Sequence, residues 1–92
     1  MLRHIVMWKL KDPADAPKVK ALLDGCKGCV PGMLEFEVGI RQDGLEANMD
    51  VVLVSGFTDQ AALDAYQGHP LHEEAKKRFP PRDSRTVVDY IV

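Results

Sequence analysis

The chain has 92 residues, of which 46% are hydrophobic and 28% are charged, so it has the length of one domain and the composition of a folded protein. A net charge of -2 gives no electrostatic reason to expect nucleic acid as a partner. The longest apolar runs, such as residues 51–54, are too short to span a membrane, and two cysteines are too few for a disulfide scaffold.

Met1 leads directly into a strand-like stretch, without the basic and apolar regions of a signal peptide. We therefore predict one soluble domain over residues 1–92, located in the cytoplasm, with no membrane partner.

The first half of the chain is typical of a strand, a helix and a second strand. Leu2–Leu10 is rich in apolar and β-branched residues, and its side chains alternate between two faces. A helix is predicted from Asp15, because an apolar stripe at helical spacing follows, namely Val19, Leu22, Leu23 and Cys26. Residues 34–41 then alternate apolar and polar side chains, as a strand with one wetter face does.

The second half adds a strand, a broken helix and a last strand. Residues 50–57 are apolar on both faces, which predicts a central strand. Thr58 or Asp59 can cap a short helix that Gly68 ends, and Pro70 can open a second helical piece that closes at residues 79–81. Residues 86–92 are again apolar on both faces and predict the final strand.

The order β-α-β-β-α-β predicts an α+β, ferredoxin-like fold with a four-stranded antiparallel sheet. Helices on one face of such a sheet leave its other face bare, and we assign Trp8, Val87 or Val88 and half of residues 51–54 to that face. A bare apolar sheet of this size is not kept wet in a soluble monomer. Either a second copy covers it or the sheet curls around a ligand, and we predict a homodimer.

The three histidines and Tyr66 are the candidates for chemistry. Histidine suits proton transfer near neutral pH, and a buried tyrosine hydroxyl can hold a carbonyl oxygen. Tyr66 shortly precedes His69 and His72, so a phenol and two imidazoles can meet at one helix junction, over a cavity between two sheets. The alternative is structural: His69 as a helix cap, His72 exposed, His4 hydrogen-bonded in the interior, and Tyr66 packed in the core.

Other motifs favour structural interpretations. Cys26 and Cys29 form a C-x-x-C at the C-terminal end of a helix, where the dipole disfavours a thiolate, and no second ligand pair for zinc follows. His69, His72 and Glu73 offer a partial metal shell, but the structural interpretation is favoured. The basic residues at 76–78, with Arg82 and Arg85, are typical of a solvated helix end, although an anionic substrate group could use them.

Two segments resemble a known family. The opening His4-Ile5-Val6-Met7-Trp8-Lys9, together with Tyr66-Gln67-Gly68-His69-Pro70-Leu71-His72, is similar to the stress-responsive α/β-barrel (Dabb) domain family over essentially the whole chain. The resemblance implies a ferredoxin-like fold that pairs as a homodimeric α+β barrel.

The resemblance also implies candidate roles. One plant member of the family, olivetolic acid cyclase, closes a linear polyketide without a cofactor. By that match His72 is the catalytic base, Tyr66 is its partner, and His4 lines the cavity. Val51 and Leu23 stand where that cyclase has a histidine and a tyrosine, which argues against a polyketide pocket of the same kind.

Three hypotheses about function remain open. The first is a dimeric module that binds a small molecule in the barrel, in a stress response, with His4, His69 and Trp8 as ligand-binding residues. The second is a cofactor-free cyclase or other lyase that acts on a carbonyl compound through His72 and Tyr66. The third is a monooxygenase of the antibiotic-biosynthesis type. None of the three requires a metal or a cofactor.

Overall fold

The computed structural model describes all 92 residues. Its strands are β1 (Leu2–Leu10), β2 (Met33–Ile40), β3 (Val51–Phe57) and β4 (Arg82–Ile91), and they form one antiparallel sheet in the order β2-β3-β1-β4. The helices are α1 (Ala16–Asp24), which follows a single 3-10 turn at Pro13–Asp15, α2 (Gln60–Gln67) and α3 (Pro70–Arg78). This connectivity is the ferredoxin-like arrangement, so the predicted fold is confirmed.

The strand boundaries agree with the predicted ones to within one residue except at the last strand, and α1 ends at Asp24, before Cys26 of the predicted stripe. β4 begins at Arg82 rather than at residue 86. Residues 82–85 are polar, so they carry none of the apolar alternation that marks the rest of the strand. They join the sheet through backbone pairing with the end of β1, and charged side chains suit an edge strand that faces solvent.

The two faces of β1 differ in burial. Its side chains alternate between buried and half-buried, and Trp8 falls in the buried set with Val6 and Leu10, on the side that the helices cover. The Trp8 ring packs on Phe79, just after α3, with ring centroids 5.4 Å apart. The prediction that Trp8 lies on the bare face was therefore wrong. Both faces of this strand are apolar, so composition alone did not show which face the helices cover.

The core lies between the helices and the covered face of the sheet. Val19 and Leu23 from the stripe of α1 pack there with Phe57 of β3 and with Leu63 and Tyr66 of α2. Asp59 caps α2, since its carboxylate accepts a hydrogen bond from the amide of Ala62 at 2.9 Å. Across the whole chain, no helix combines the length and apolar character that crossing a bilayer demands.

The other side of the sheet, which we call the open face, is covered by no element of this chain. Its centre is apolar, and its apolar side chains are Ile5, Met7, Val52, Val54 and Val88. Charged residues lie toward its edge, where Arg3 and Glu35 form an ion pair at 2.8 Å. The strand register places Val88, opposite Ile5, on this face, whereas Val87, opposite Val6, is on the helix side.

Candidate active site

A cavity of about 590 Å³ lies between the covered face of the sheet, α3 and the segment that leads into β4. β1 forms one wall with His4, Val6 and Trp8, and the junction of α2 and α3 contributes Tyr66 and His72. The cavity that Tyr66 and His72 line is therefore inside a single chain, between sheet and helices, rather than between two sheets.

Tyr66 lies in the last turn of α2 and is 1% exposed. Its ring is held between Phe36 and Phe57, with centroids 5.7 and 5.6 Å away. Its hydroxyl is buried and has no hydrogen-bond partner in the protein. Burial raises the pKa of the phenol well above its ordinary value of 10, so Tyr66 keeps its proton and can donate it in a hydrogen bond to a bound molecule.

His72, in the first turn of α3, lies against Tyr66 with ring centroids 4.7 Å apart. Its Nδ1 is 2.9 Å from the backbone carbonyl oxygen of Gln67. A carbonyl oxygen only accepts, so Nδ1 carries the proton and Nε2 keeps its lone pair. Burial lowers the pKa of His72 below its ordinary 6.5, so the imidazole is neutral at neutral pH and can accept a proton.

His4 is 2% exposed and is held by a residue that sequence reasoning missed. Asp89 is its register partner on β4, and the two side chains meet with Nδ1 and Oδ1 2.5 Å apart. A carboxylate only accepts, so Nδ1 of His4 carries a proton, and the bond fixes the orientation of the ring. The local sequence around Asp89 does not indicate that it pairs with His4, because the register between the two strands is set by the whole fold.

His69 does not line the cavity. It is the N-cap of α3, where its Nδ1 accepts a hydrogen bond from the amide of Leu71 at 3.0 Å. The predicted ligand-binding role for His69 therefore has no support from its position, and the structural alternative describes it. Trp8 does line the cavity, and its indole Nε1, like the Tyr66 hydroxyl, is buried without a protein partner.

Three basic side chains, Lys76, Arg82 and Arg85, also line the cavity, and no aspartate or glutamate does. Arg82 lies over the ring of Phe79, with its guanidinium carbon 5.6 Å from the centroid. Sequence reasoning placed these basic residues on a solvated helix end. Sequence reasoning missed that β4 starts at Arg82, which puts Arg82 and Arg85 on a strand that borders the cavity.

No group of three histidine, cysteine or acidic side chains is close enough to hold a metal ion. Cys26 and Cys29 are both free thiols. Burial raises the pKa of each, which is the opposite of what a reactive thiol requires.

Solved structures with the same fold include dimeric proteins of unknown function. Among curated protein sequences, none matches this chain. A dimeric ferredoxin-like protein of unknown function from Jannaschia sp. CCS1 is 33% identical with a TM-score of 0.79, and the match covers 99% of this chain and 98% of that one. A second dimeric ferredoxin-like protein of unknown function, from Thermobifida fusca, is 23% identical with a TM-score of 0.85, covering 99% and 90%.

Hydroxynitrile lyase from Passiflora edulis has the same fold, at 22% identity and a TM-score of 0.77, with 99% of this chain and 92% of that chain covered. The model of the stress responsive A/B barrel domain family matches residues 2–92. That match spans nearly the whole chain and agrees with the fold and with the segments quoted above. The chain therefore belongs to the stress responsive A/B barrel domain (Dabb) family.

Proposed function

We propose that the protein is a cofactor-independent enzyme that transfers a proton next to a carbonyl group of a small organic molecule, as a lyase or an aldol-type cyclase does. One observation carries the proposal: a neutral imidazole and an unpaired phenol line the same cavity, with their rings 4.7 Å apart. The cavity volume of about 590 Å³ lies within the range of sites that enclose a small ligand.

In the proposed reaction the Tyr66 hydroxyl donates a hydrogen bond to the carbonyl oxygen of the substrate. Nε2 of His72 takes the proton from the adjacent carbon, and the C–H electron pair becomes the enolate. The tyrosine hydrogen bond strengthens as negative charge develops on the oxygen. The enolate then attacks a second carbonyl carbon, or expels a leaving group, and the His72 imidazolium returns its proton to the oxygen or group that has gained the charge.

His4 is proposed to bind a second polar group of the substrate. Its ring is fixed by Asp89 and faces the cavity from the opposite wall, on β1. In this role Asp89 is a positioning residue, because it acts through the orientation of the His4 ring rather than through the substrate.

We also propose that two chains pair through their open faces. Half-buried and exposed apolar side chains, among them Ile5, Val54 and Val88, cover the centre of that face. Burying apolar area of this kind is the main driving force of association. The neighbours from Jannaschia and Thermobifida are dimeric proteins of the same fold.

A non-catalytic binding module would use the same cavity, and turnover separates it from the enzyme. The test is incorporation of deuterium from D2O next to the carbonyl group of small ketones and keto esters, followed by proton NMR. His72→Gln removes the base, whereas His69→Asn is a matched control that removes a histidine outside the cavity and retains an N-cap side chain.

We expect the wild type and His69→Asn to exchange deuterium at the same rate, and His72→Gln to lose the exchange. Ligands that bind in the cavity without any exchange would instead support the binding module. Equal exchange by His72→Gln would refute the catalytic role of His72. The monooxygenase hypothesis stays a prediction, which oxygen consumption with quinol-like substrates would test.

A further inference from the structure

The charge of the cavity is opposite to the charge of the chain. The protein carries 14 acidic and 12 basic residues, for a net charge of -2. Yet Lys76, Arg82 and Arg85 line the cavity, and none of the 14 carboxylates does. Clefts lined by one sign of charge concentrate ligands of the opposite sign.

The two arginines of the cavity differ from the others in having no ion-pair partner. The remaining arginines of the chain, Arg3, Arg41 and Arg78, each lie within 4.0 Å of a carboxylate, at 2.8, 3.9 and 2.9 Å. No carboxylate lies within that distance of Arg82 or Arg85. The guanidinium donors of these two are therefore free to bind a ligand.

A β-bulge in β4 brings Arg82 to the cavity side of the sheet, which Arg85 already faces. Residues 82 and 85 would face opposite sides of a regular strand. The register shifts between Lys9 and Leu10, so that Arg82 pairs with Leu10 while Arg85 pairs with Trp8, and Leu10 and Trp8 are on the same face. Bulges commonly redirect side chains beside functional sites.

The residue that the bulge leaves unpaired, Asp83, is kept away from the cavity. Its carboxylate forms an ion pair with Lys11 at 2.8 Å. The bulge is held from both sides, because the amide of Leu10 donates to the buried carboxylate of Asp50 at 2.7 Å and the amide of Lys11 donates to the carbonyl of Pro81 at 3.1 Å. The bulge therefore turns the positive charge of Arg82 toward the cavity, beside that of Arg85, and the negative charge of Asp83 away.

We propose that the substrate carries a carboxylate, which Arg85 binds with Arg82 at the mouth of the cavity while Tyr66 and His72 act on the carbonyl group. This inference rests on the proposed function for the place of the reaction. Arg85 lines the same cavity as Tyr66 and His72, so a carboxylate bound there shares the cavity with the reacting groups. The unpaired Tyr66 hydroxyl and Trp8 indole also offer donors to an acceptor-rich ligand.

A carboxylate fits this site better than a phosphate. Arginine pairs bind both carboxylates and phosphates, and many phosphate sites add converging backbone amides at a helix N-terminus or in a glycine-rich loop. Here the lining next to the two arginines includes Pro80 and Pro81, which have no N–H, and Lys76 near the C-terminal end of α3. Paired guanidinium groups above apolar walls suit the flat, bidentate carboxylate of a small oxo acid.

The test compares matched probes in equilibrium binding by ligand-observed NMR. The probes are phenylpyruvate, 4-acetylbenzoate and 4-acetylphenylacetate, each with its methyl ester, and phenyl phosphate. The variants are Arg85→Gln, Arg82→Gln and, as a matched control, Arg78→Gln, which removes an arginine that pairs with Glu74 outside the cavity. Circular dichroism checks that each variant is folded.

We expect the acids to bind at least about tenfold more tightly than their esters, and Arg85→Gln to remove that preference without weakening the esters. Arg78→Gln should bind like the wild type. Four results would each overturn the inference. The first two are equal binding of acids and esters, and no binding of any acid. The other two are stronger binding of phenyl phosphate than of the acids, and an unchanged preference for acids in Arg85→Gln. His72→Gln separates the two proposals, since it should retain the preference for acids even where turnover is lost.

Discussion

Replacing Tyr66 by phenylalanine should stabilise the protein and impair its proposed chemistry at the same time. The substitution removes one oxygen atom and keeps the ring, so the edge contacts with Phe36 and His72 and the tilted contact with Phe57 are retained. The removed hydroxyl is buried and has no protein partner. A role in packing alone would not predict opposite effects on stability and on turnover.

The gain in stability follows from the burial of the hydroxyl. Burying a hydroxyl without a hydrogen bond costs about 1–3 kcal/mol relative to water. Tyr66 lines a cavity of about 590 Å³, which is large enough to admit water, so we expect the lower part of that range, about 1 kcal/mol. Urea unfolding at fixed protein concentration measures this difference, because the stability of a dimer depends on concentration.

The loss of turnover follows from the hydrogen bond to the developing enolate. Removing one such donor typically lowers the rate about a hundredfold or more, and deuterium exchange measures it. Tyr90→Phe is the matched control, because Tyr90 is the only other tyrosine and lies on the open face. Unchanged exchange in Tyr66→Phe, or a loss of stability above about 1 kcal/mol, would refute the reasoning.

Three further predictions address the base, the positioning pair and the dimer. Burial holds the pKa of His72 below 6.5. The exchange rate should therefore rise with pH through one apparent pKa below that value and then stay level to about pH 9. A rate that falls as pH rises through neutrality would contradict a neutral base. Asp89→Ala should weaken ligand binding only through His4. The double variant Asp89→Ala/His4→Ala should therefore bind ligand no more weakly than His4→Ala alone. Losses of binding free energy that add in the double variant would show that Asp89 acts independently of His4. Val54→Asp on the open face should give a monomer by light scattering, while Ala61→Asp on the exposed side of α2 should stay dimeric, and a dimeric Val54→Asp would contradict pairing through that face.

Most of the fold could be predicted from local sequence. The alternation in Leu2–Leu10, the cap at Asp59 and the Gly68-to-Pro70 break between α2 and α3 each have a physical cause within a few residues. The side of β1 that the helices cover could not be predicted. Both faces of that strand carry large apolar side chains, so the pattern predicts a strand but does not show which of its faces the helices cover.

The site was predicted where it depends on one helix junction and missed where it depends on strand register. Tyr66 and His72 are six residues apart and share the α2–α3 corner, so their proximity follows from the chain itself. Asp89 is 85 residues from His4, and Arg82 shares the cavity side with Arg85 only because of the bulge at Asp83 in β4. Pairing between strands so distant in sequence is decided by the whole sheet, and no local pattern encodes it.

His72 acts in the proposed reaction as a neutral base whose Nε2 is free in the cavity. The most direct measurement is a two-dimensional nitrogen–proton NMR spectrum of the histidine rings, recorded against pH and assigned with His72→Gln. We expect His72 to have its proton on Nδ1, bonded to the carbonyl of Gln67, and to titrate below 6.5. A proton on Nε2 of the neutral ring would leave no lone pair there to act as a base, and a titration above 6.5 would show that burial does not favour the neutral ring; either result would contradict this role for His72.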